Sequence, residues 1–216
     1  MKKTKKVYIG MTADMLHHGH MNILEEARKY GDIIVGLLTD SAVAEYKRLP
    51  YLNYKQREKI LINFQGVTKV VPQKEWDYSS NIKKIRPDYM VHGDDWKIGP
   101  DRSIRKSVIK ILNSYGGKLI EVPYTKGISS GAFVNSQRII STTPDVRRST
   151  LSRLINSKPI IRIIETHSPI SAIIAEKTIL QNSVRKKSFD GFWSSSLTDS
   201  TVMGKPDTES LEISQR

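Results

Sequence analysis

The sequence predicts an α/β fold in which helices cover both faces of a parallel β-sheet. In the first 140 residues, short apolar runs rich in Val and Ile alternate with segments whose apolar residues recur at helical spacing. Short polar or glycine-containing turns separate these segments, and the apolar content of 38% is enough for a core. Strands and helices in alternation are joined by right-handed crossovers. We therefore expect a Rossmann-like, doubly wound sheet.

The pattern predicts five strands and six helices in the first 140 residues. Strands are predicted at residues 6–11, 32–39, 68–72, 88–93 and 118–123, and helices at residues 19–30, 41–47, 54–63, 80–85, 104–115 and 129–138. Ser41 and Ser129 are suitable N-caps. Gly31 and the pair Gly116 and Gly117 are suitable for ending helices.

The composition changes near residue 141, where polar turn residues predict a linker at residues 141–148. We expect residues 1–140 to form one domain and residues 149–216 to form a second region. Helices are predicted there at residues 151–155 and 170–180, and strands at residues 160–164 and 191–193. Two βα units bury too little surface to complete a sheet. The second region is therefore predicted to be the start of a domain.

Composition limits the classes of function. The net charge is +13, and residues 1–140 hold 24 Lys and Arg against 14 Asp and Glu. A basic first domain suits a polyanion such as a nucleotide or a nucleic acid, although a solvated basic surface would have the same composition. No apolar run is long enough to span a membrane or to form a signal peptide. The chain has no cysteine, which excludes thiolate chemistry and fits a cytoplasmic protein.

Two imidazoles stand where the first predicted strand ends and the first helix begins. His17 and His20 are separated by His18 and Gly19. Such junctions bind anions, because unpaired backbone N–H groups and the helix dipole point outward. Gly19 has no Cβ, so a phosphate can approach the backbone closely. This pattern indicates chemistry on a nucleoside triphosphate.

Three segments follow the carboxyl ends of predicted strands and should therefore lie together. Residues 12–20 supply the imidazoles and a helix N-terminus. Residues 92–96 supply two carboxylates and an indole. Residues 125–130 supply a lysine, a glycine and two serines at another helix start. Together they could hold a triphosphate and a ribose.

These segments resemble the motifs of a known family. Residues 17–20 resemble the HxGH motif of the cytidylyltransferase branch of the nucleotidyltransferase superfamily. Residues 91–96 and 125–130 resemble the second and third signatures of glycerol-3-phosphate cytidylyltransferases, and Arg57 matches an arginine of that family. The resemblance covers about residues 5–140, with the three motifs in order and at fitting spacing.

The resemblance implies that a phosphate or phosphonate oxygen attacks the α-phosphorus of CTP and that pyrophosphate leaves. His17 and His20 would donate hydrogen bonds to the phosphates, and Lys126 would add a cation. It also implies Mg²⁺ bound with CTP, no metal site of the protein's own and a homodimer. The nucleotide-binding residues implied are Thr12, Asp14, Gly19, Arg57, Gly93, Asp94, Trp96, Gly127, Ile128, Ser129 and Ser130.

The chain departs from the family pattern at three places. Residues 11–14 are Met-Thr-Ala-Asp, where the family usually has Gly-Thr-Phe-Asp. Gln65 and Tyr124 stand where the family has arginines. Two lost cations would weaken the stabilisation of triphosphate charge unless Lys126 or Arg48 compensates. These departures bear on the choice of nucleotide and acceptor more than on the reaction class.

Each candidate residue also has a structural alternative. The imidazole pair could be structural or could bind a metal ion, and the carboxylates could cap a helix or form a turn. The indole could pack in the core, the serines could be an N-cap, and the arginine could be a solvated charge. The residues concerned are His17, His20, Asp94, Asp95, Trp96, Ser129, Ser130 and Arg57. His18 and His92 are expected to be structural or peripheral.

The second region resembles another enzyme class. Residues 165–172 resemble the first βα turn of the phosphoenolpyruvate mutase/isocitrate lyase superfamily, and residues 191–197 resemble its second strand and phosphoryl-binding loop. Ser195, Ser196 and Leu197 match the loop's Ser-Gly-Leu triplet, with Ser196 in place of glycine. The superfamily's metal-binding strand and catalytic lysine loop come later and have no counterpart. The resemblance thus implies an incomplete β/α-barrel without mutase activity.

The two resemblances together predict a cytidylyltransferase of phosphonate biosynthesis, linked to phosphoenolpyruvate mutase. Two enzyme-related alternatives stay open, an adenylyltransferase of the same superfamily and a nucleotide-binding regulatory domain of a mutase. The basic charge suggests a third, a non-catalytic nucleic-acid-binding module. The ordered motifs argue against nucleic acid as a partner.

Overall fold

The computed structural model describes residues 4–46, 49–123, 125, 144–181 and 186–208. The chain divides into two compact units, Met1–Ser157 and Lys158–Arg216, called here the first unit and the second unit. The first unit contains the sheet on which the predicted site depends.

A five-stranded parallel sheet forms the centre of the first unit. Its strands are β1 (Lys6–Met11), β2 (Asp32–Leu38), β3 (Val67–Gln73), β4 (Tyr89–Gly93) and β5 (Lys118–Val122). They lie in the order β3-β2-β1-β4-β5, and every neighbouring pair is parallel. The strand order reverses between β1 and β4. In sheets of this kind ligands bind outside the carboxyl ends of the strands at such a point.

Helices connect the strands. They are α1 (His18–Arg28), α2 (Asp40–Tyr46), α3 (Tyr54–Leu61), α4 (Ser79–Ile85), a 3₁₀ helix (Asp94–Lys97), α5 (Arg102–Asn113) and α6 (Pro144–Ser157). The prediction of a five-stranded parallel α/β sheet is confirmed. The helix predicted at residues 129–138 lies outside the described residues.

Two apolar clusters pack on the faces of the sheet because side chains alternate along each strand. On β1, Val7 and Ile9 belong to one cluster, together with Leu24 of α1. Tyr8 belongs to the other, together with Leu112 of α5. Burying a side chain of this size stabilises the fold by about 1.5–3 kcal/mol. The sheet is therefore a rigid support for the loops at its carboxyl edge.

A buried polar network fixes the loop that follows β3. The Tyr8 hydroxyl donates to Gln73 Oε1 at 2.5 Å. Gln73 Nε2 donates to the carbonyls of Glu75 and Asp77 at 2.7 and 2.8 Å. A Cβ at Gly36 would lie 1.8 Å from the Tyr8 hydroxyl oxygen, so glycine is required beside this ring. The network holds residues 74–78 near the carboxyl edge of the sheet.

The helix α6 begins within the range predicted as a linker and belongs to the first unit, where it packs against α2. Pro144 is its first residue. Proline suits the first turn of a helix, since its missing N–H would have no intrahelical partner there. The division into domains at residues 141–148 stays a prediction.

The second unit contains one βαβ arrangement. The strands β6 (Ile163–Glu165) and β9 (Gly191–Trp193) are parallel, and α7 (Pro169–Lys177) lies between them in sequence. A two-residue antiparallel pair, β7 (Leu180–Gln181) and β8 (Lys186–Lys187), and the helix α8 (Ser196–Val202) complete the elements. The predicted barrel fragment is not shown by this arrangement, and Ala175 is the one buried apolar side chain among its described residues.

No helix in the described ranges has both the length and the apolar character that crossing a membrane requires.

Candidate functional site

A cavity of about 420 Å³ opens at the carboxyl edge of the sheet. The ends of β1 and β4, the start of α1, the loop after β3 and the residues after β5 form its walls. Several predicted site residues line it, namely Thr12, His17, Gly19, His20, Gly93 and Trp96. Thr125, the first residue of the third predicted segment, also lies on the wall. The structure thus brings parts of all three segments together.

The two imidazoles are held by backbone hydrogen bonds at the start of α1. His17 is the N-cap, and its Nδ1 accepts from the Gly19 N–H at 3.2 Å. His20 Nδ1 accepts from the His17 N–H at 3.3 Å, and the ring centroids lie 4.0 Å apart. Because each Nδ1 is an acceptor, each neutral ring carries its proton on Nε2. Burial, helped by the neighbouring His18, lowers the pKa of His17, which favours this neutral donor.

Gly19 keeps the cap in place. A Cβ at this position would lie 3.0 Å from both Nδ1 and Cε1 of His17 and 3.5 Å from Cβ of Thr125. Asn22 Nδ2 donates to Thr125 Oγ1 at 3.1 Å, which ties α1 to the segment after β5. A side chain at position 19 would therefore disturb both the imidazole and the neighbouring segment.

Asp14 binds backbone rather than facing the cavity directly. Its Oδ1 accepts from the N–H groups of Tyr51 and Leu52 at 2.8 and 3.4 Å. The structure thus places this predicted site residue between the wall at Thr12 and the segment that precedes α3. Its role toward a nucleotide stays a prediction.

Arg57 is fully buried behind Thr12. It donates to the carbonyls of Thr12 at 2.5 Å and Leu52 at 3.1 Å, and it forms an ion pair with Asp40 at 2.6 Å. These bonds make Arg57 a brace for the wall of the cavity. Contact between Arg57 and a bound nucleotide stays a prediction.

The second segment forms an aromatic wall. The Trp96 ring stacks on His92 with centroids 3.8 Å apart and an interplanar angle of 12°. His92 Nδ1 donates to the Gly93 carbonyl at 2.8 Å, and its Nε2 lies 3.2 Å from the Tyr78 hydroxyl. Burial lowers the pKa of His92, so the neutral ring accepts from Tyr78. His92, expected to be structural or peripheral, lies on the cavity wall.

The predicted site residue Asp94 forms an ion pair within the 3₁₀ helix. Its Oδ2 lies 3.7 Å from Nζ of Lys97.

Sequence reasoning missed a carboxylate that holds this wall. Glu121 on β5 accepts from Trp96 Nε1 at 2.9 Å and from Arg105 through both of its oxygens, at 2.8 and 3.0 Å. Arg105, and then Trp96, hold the pKa of Glu121 at about 2. One signal was available, since Glu121 is a charged residue near the carboxyl end of a strand and precedes the third segment.

We expect the first unit to lose stability as the pH falls from about 4.5 towards 2. The folded pKa of Glu121 lies below its ordinary value of 4.5, so the carboxylate stabilises the fold above pH 4.5 and stops doing so as it is protonated. Glu121→Gln should cost roughly 1–3 kcal/mol at pH 7 and almost nothing near pH 2. Urea unfolding at several pH values measures this difference. Glu25→Gln, a change of an exposed carboxyl on α1, is the control, and an equal cost of Glu121→Gln at both pH values would contradict the assignment.

Several predicted residues cannot be placed. Lys126, Gly127, Ile128, Ser129 and Ser130 lie outside the described residues, as do Arg48 and Tyr124. Their roles stay predictions. Gln65, one of the departures from the family, accepts from Arg28 at 3.3 Å on an exposed surface.

The described residues contain no group of three or more His, Asp or Glu side chains that could hold a metal ion. In the second unit, Ser195 is the N-cap of α8 and accepts from the Thr198 N–H at 3.5 Å. Ser196 is the first residue of this helix and Leu197 is exposed. The role of this loop in binding a phosphoryl group stays a prediction.

Comparison with known proteins finds a family and several relatives. The family described as cytidylyltransferase-like matches residues 8–136. Glycerol-3-phosphate cytidylyltransferase of Bacillus spizizenii is 37% identical over 128 residues, which cover 58% of this chain and 92% of that protein. Ethanolamine-phosphate cytidylyltransferase of Dictyostelium discoideum is 29% identical over 147 residues, which cover 67% of this chain and 39% of that protein.

Among solved structures, a lipopolysaccharide core biosynthesis protein of Thermoplasma volcanium aligns with a TM-score of 0.48 and 21% identity. The alignment covers 58% of this chain and 100% of that chain.

Proposed function

This chain belongs to the cytidylyltransferase-like family, and we propose that it transfers CMP from CTP to a phosphonate or phosphate monoester with release of pyrophosphate. The observation that carries the proposal is the pair of imidazoles at the start of α1. Both rings line the cavity, and the bonds to Nδ1 leave each neutral ring with a proton on Nε2. A pair of aligned donors beside a helix N-terminus is suited to phosphate oxygens on which negative charge develops.

The proposed reaction is a direct displacement. An anionic oxygen of the acceptor forms a bond to the α-phosphorus of CTP, and the bond from that phosphorus to the bridging oxygen of pyrophosphate breaks. The acceptor oxygen is already deprotonated, so no general base is required. His17 and His20 would donate to the phosphate oxygens, and Lys126 would supply a further positive charge. Catalysis then rests on positioning and charge stabilisation.

Mg²⁺ would enter with the triphosphate rather than in a site built by the protein. The described residues offer no cluster of three ligands, and Mg²⁺ is commonly bound by substrate phosphates with one or two carboxylates at most. When bound, the ion would neutralise part of the triphosphate charge. The other contacts to the triphosphate would come from hydrogen-bond donors of the protein.

The acceptor proposed is a phosphonate that carries an amine. Asp95 and Asp101 line the cavity beside the rings of Trp76 and Tyr78, and Trp76 Nε1 donates to Asp101 at 3.1 Å. Carboxylates and aromatic faces favour a cation. 2-Aminoethylphosphonate combines an ammonium group with the attacking oxygen. The resemblance of residues 165–172 and 191–197 to phosphoenolpyruvate mutase supports a phosphonate over glycerol 3-phosphate.

The test is pyrophosphate release by the full chain with Mg²⁺. Each of CTP, ATP, GTP and UTP is offered with 2-aminoethylphosphonate, phosphocholine or glycerol 3-phosphate, and the double variant His17→Ala/His20→Ala is the control. We expect release that is selective for CTP and for the aminophosphonate and that the double variant abolishes. Release selective for ATP would instead make the protein an adenylyltransferase. CTP binding without release would make the domain a nucleotide-binding regulator.

A further inference from the structure

The turn that follows β1, next to the cavity-lining residue Thr12, is strained. Ala13 has a φ of +52°, and its side chain is buried. A residue with a Cβ is strained in this left-handed region, because its Cβ crowds the carbonyl oxygen that follows. Ala13 stands between Thr12, which lines the cavity, and Asp14. Strain of this kind persists only where the surroundings hold it.

Contacts on both sides of Ala13 hold the turn. On one side, Arg57 donates to the Thr12 carbonyl at 2.5 Å. On the other, Asp14 accepts from the N–H groups of Tyr51 and Leu52. The geometry of the turn therefore depends on where the backbone of residues 50–52, called here the strap, is placed.

Arg153 of α6 holds the strap from the opposite side. Its two terminal nitrogens donate to the Tyr51 carbonyl at 2.9 Å and to the Pro50 carbonyl at 2.6 Å. Its Nε is buried and has no hydrogen-bond partner within the described part of the chain. Asp14 thus accepts from two N–H groups of the strap while Arg153 donates to two of its carbonyls, and Arg57 donates to the third, that of Leu52. Position 153 also lies beyond residues 8–136, which the family matches.

We propose that Arg153 is a positioning residue for the cavity, acting through the strap to hold the left-handed turn at Ala13. The planar guanidinium can bond two neighbouring carbonyls at once, which a single ammonium group on a flexible stem does less well. Without these bonds Pro50 and Tyr51 are held less firmly beside Asp14, although Arg57 still donates to the Leu52 carbonyl. Ala13 then relaxes out of the left-handed region. Thr12 then moves relative to His17 and His20. In this way α6 contributes to the geometry of the site, although it lies outside residues 8–136, which the family matches.

The experiment compares five variants of the full chain. Arg153→Ala removes both carbonyl bonds, and Arg153→Lys keeps the charge and much of the stem. Arg148→Ala removes an exposed arginine from the same helix and is the matched control. The last two are Ala13→Gly alone and Ala13→Gly combined with Arg153→Ala, because glycine adopts positive φ without strain. Hydrogen exchange at the Tyr51 and Leu52 amides is measured together with kcat and KM for CTP.

In Arg153→Ala we expect exchange at these two amides to be about ten-fold faster and kcat to be about ten-fold lower. Arg153→Lys should lie between this variant and the parent, and it is the variant to measure if alanine prevents folding. Arg148→Ala should change neither quantity. In the Ala13→Gly background the loss of kcat on removing Arg153 should shrink to about two-fold, because the turn no longer needs to be held.

Unchanged exchange in Arg153→Ala and Arg153→Lys would overturn the proposal. So would faster exchange with kcat within two-fold of the parent, or an equal loss in the Ala13→Gly background, because either marks a contact that only stabilises the fold. The rate measurement rests on the proposed transfer of CMP, whereas the exchange measurement does not. A parent protein that releases no pyrophosphate would contradict the proposed function, while exchange would still decide whether Arg153 holds the strap.

Discussion

Replacing Arg57 with alanine is expected to lower the free energy of unfolding of the first unit by about 3–5 kcal/mol, because it breaks a buried ion pair. Arg57 is fully buried, and its guanidinium is the donor to the carbonyls of Thr12 and Leu52 and to the Asp40 carboxylate. The substitution deprives all three acceptors of this donor and also opens a cavity. For a unit of this size the melting temperature should fall by about 6–20 °C.

Urea unfolding of the full chain measures the effect, with Lys55→Ala as the control because Lys55 is an exposed cation on the same helix. Arg57→Lys keeps the charge but not the fork of donors, and it should be intermediate. CTP affinity is measured on the folded protein in parallel. Normal stability with a large loss of CTP affinity would contradict the structural role and would instead support the nucleotide contact that the family resemblance implies.

The predictable features of the first unit depend on residues close together in sequence. The strands were found because β-branched apolar runs such as the one in β2 have a local signature, and the start of α1 because a turn-prone pattern precedes apolar residues at helical spacing. Gly19, His17 and His20 are likewise neighbours. Their convergence with residues 92–96 follows from a general property of parallel sheets, in which the carboxyl ends lie on one edge.

The features that were missed depend on contacts between distant residues. Arg57 and Thr12 are separated by 45 positions and Glu121 and Trp96 by 25, so no periodic pattern relates them. An arginine on a polar helix is expected to be solvated, and the Thr12 and Leu52 carbonyls together with the Asp40 carboxylate explain why Arg57 is buried. His92 was underestimated for the same reason, since its stacking on Trp96 exists only after β4 and the 3₁₀ helix are placed.

Near residue 141, a proline is compatible both with a turn and with the start of a helix. The polar pattern around Pro144 predicts a turn, whereas in the structure Pro144 is the first residue of α6. Proline is common in both settings, because it fixes φ and lacks an N–H in each. The hydrogen bonds of Arg153 to the strap help to hold the helix in place, and they join residues about 100 positions apart in sequence.

Replacing either imidazole should have the largest effect on the reaction. His17→Ala and His20→Ala should each lower kcat for pyrophosphate release by about 10²–10³-fold, which is the usual cost of removing one aligned donor from a developing oxyanion. The two ring centroids lie 4.0 Å apart, so removing one ring changes the surroundings of the other. The double variant should therefore lose less than the product of the single losses.

His17 has a second role that has to be separated from the first, because its Nδ1 caps α1. Losing an N-cap costs about 1 kcal/mol of stability, and asparagine is among the best N-cap residues. His17→Asn should therefore restore the stability that alanine loses without restoring kcat, because its amide reaches the Gly19 N–H but places no donor where Nε2 stood. His18→Ala, which removes an exposed imidazole between the two, should keep kcat within two-fold of the parent. If His17→Asn were as active as the parent, the imidazole would be a cap alone and His20 would be left as the single donor from α1.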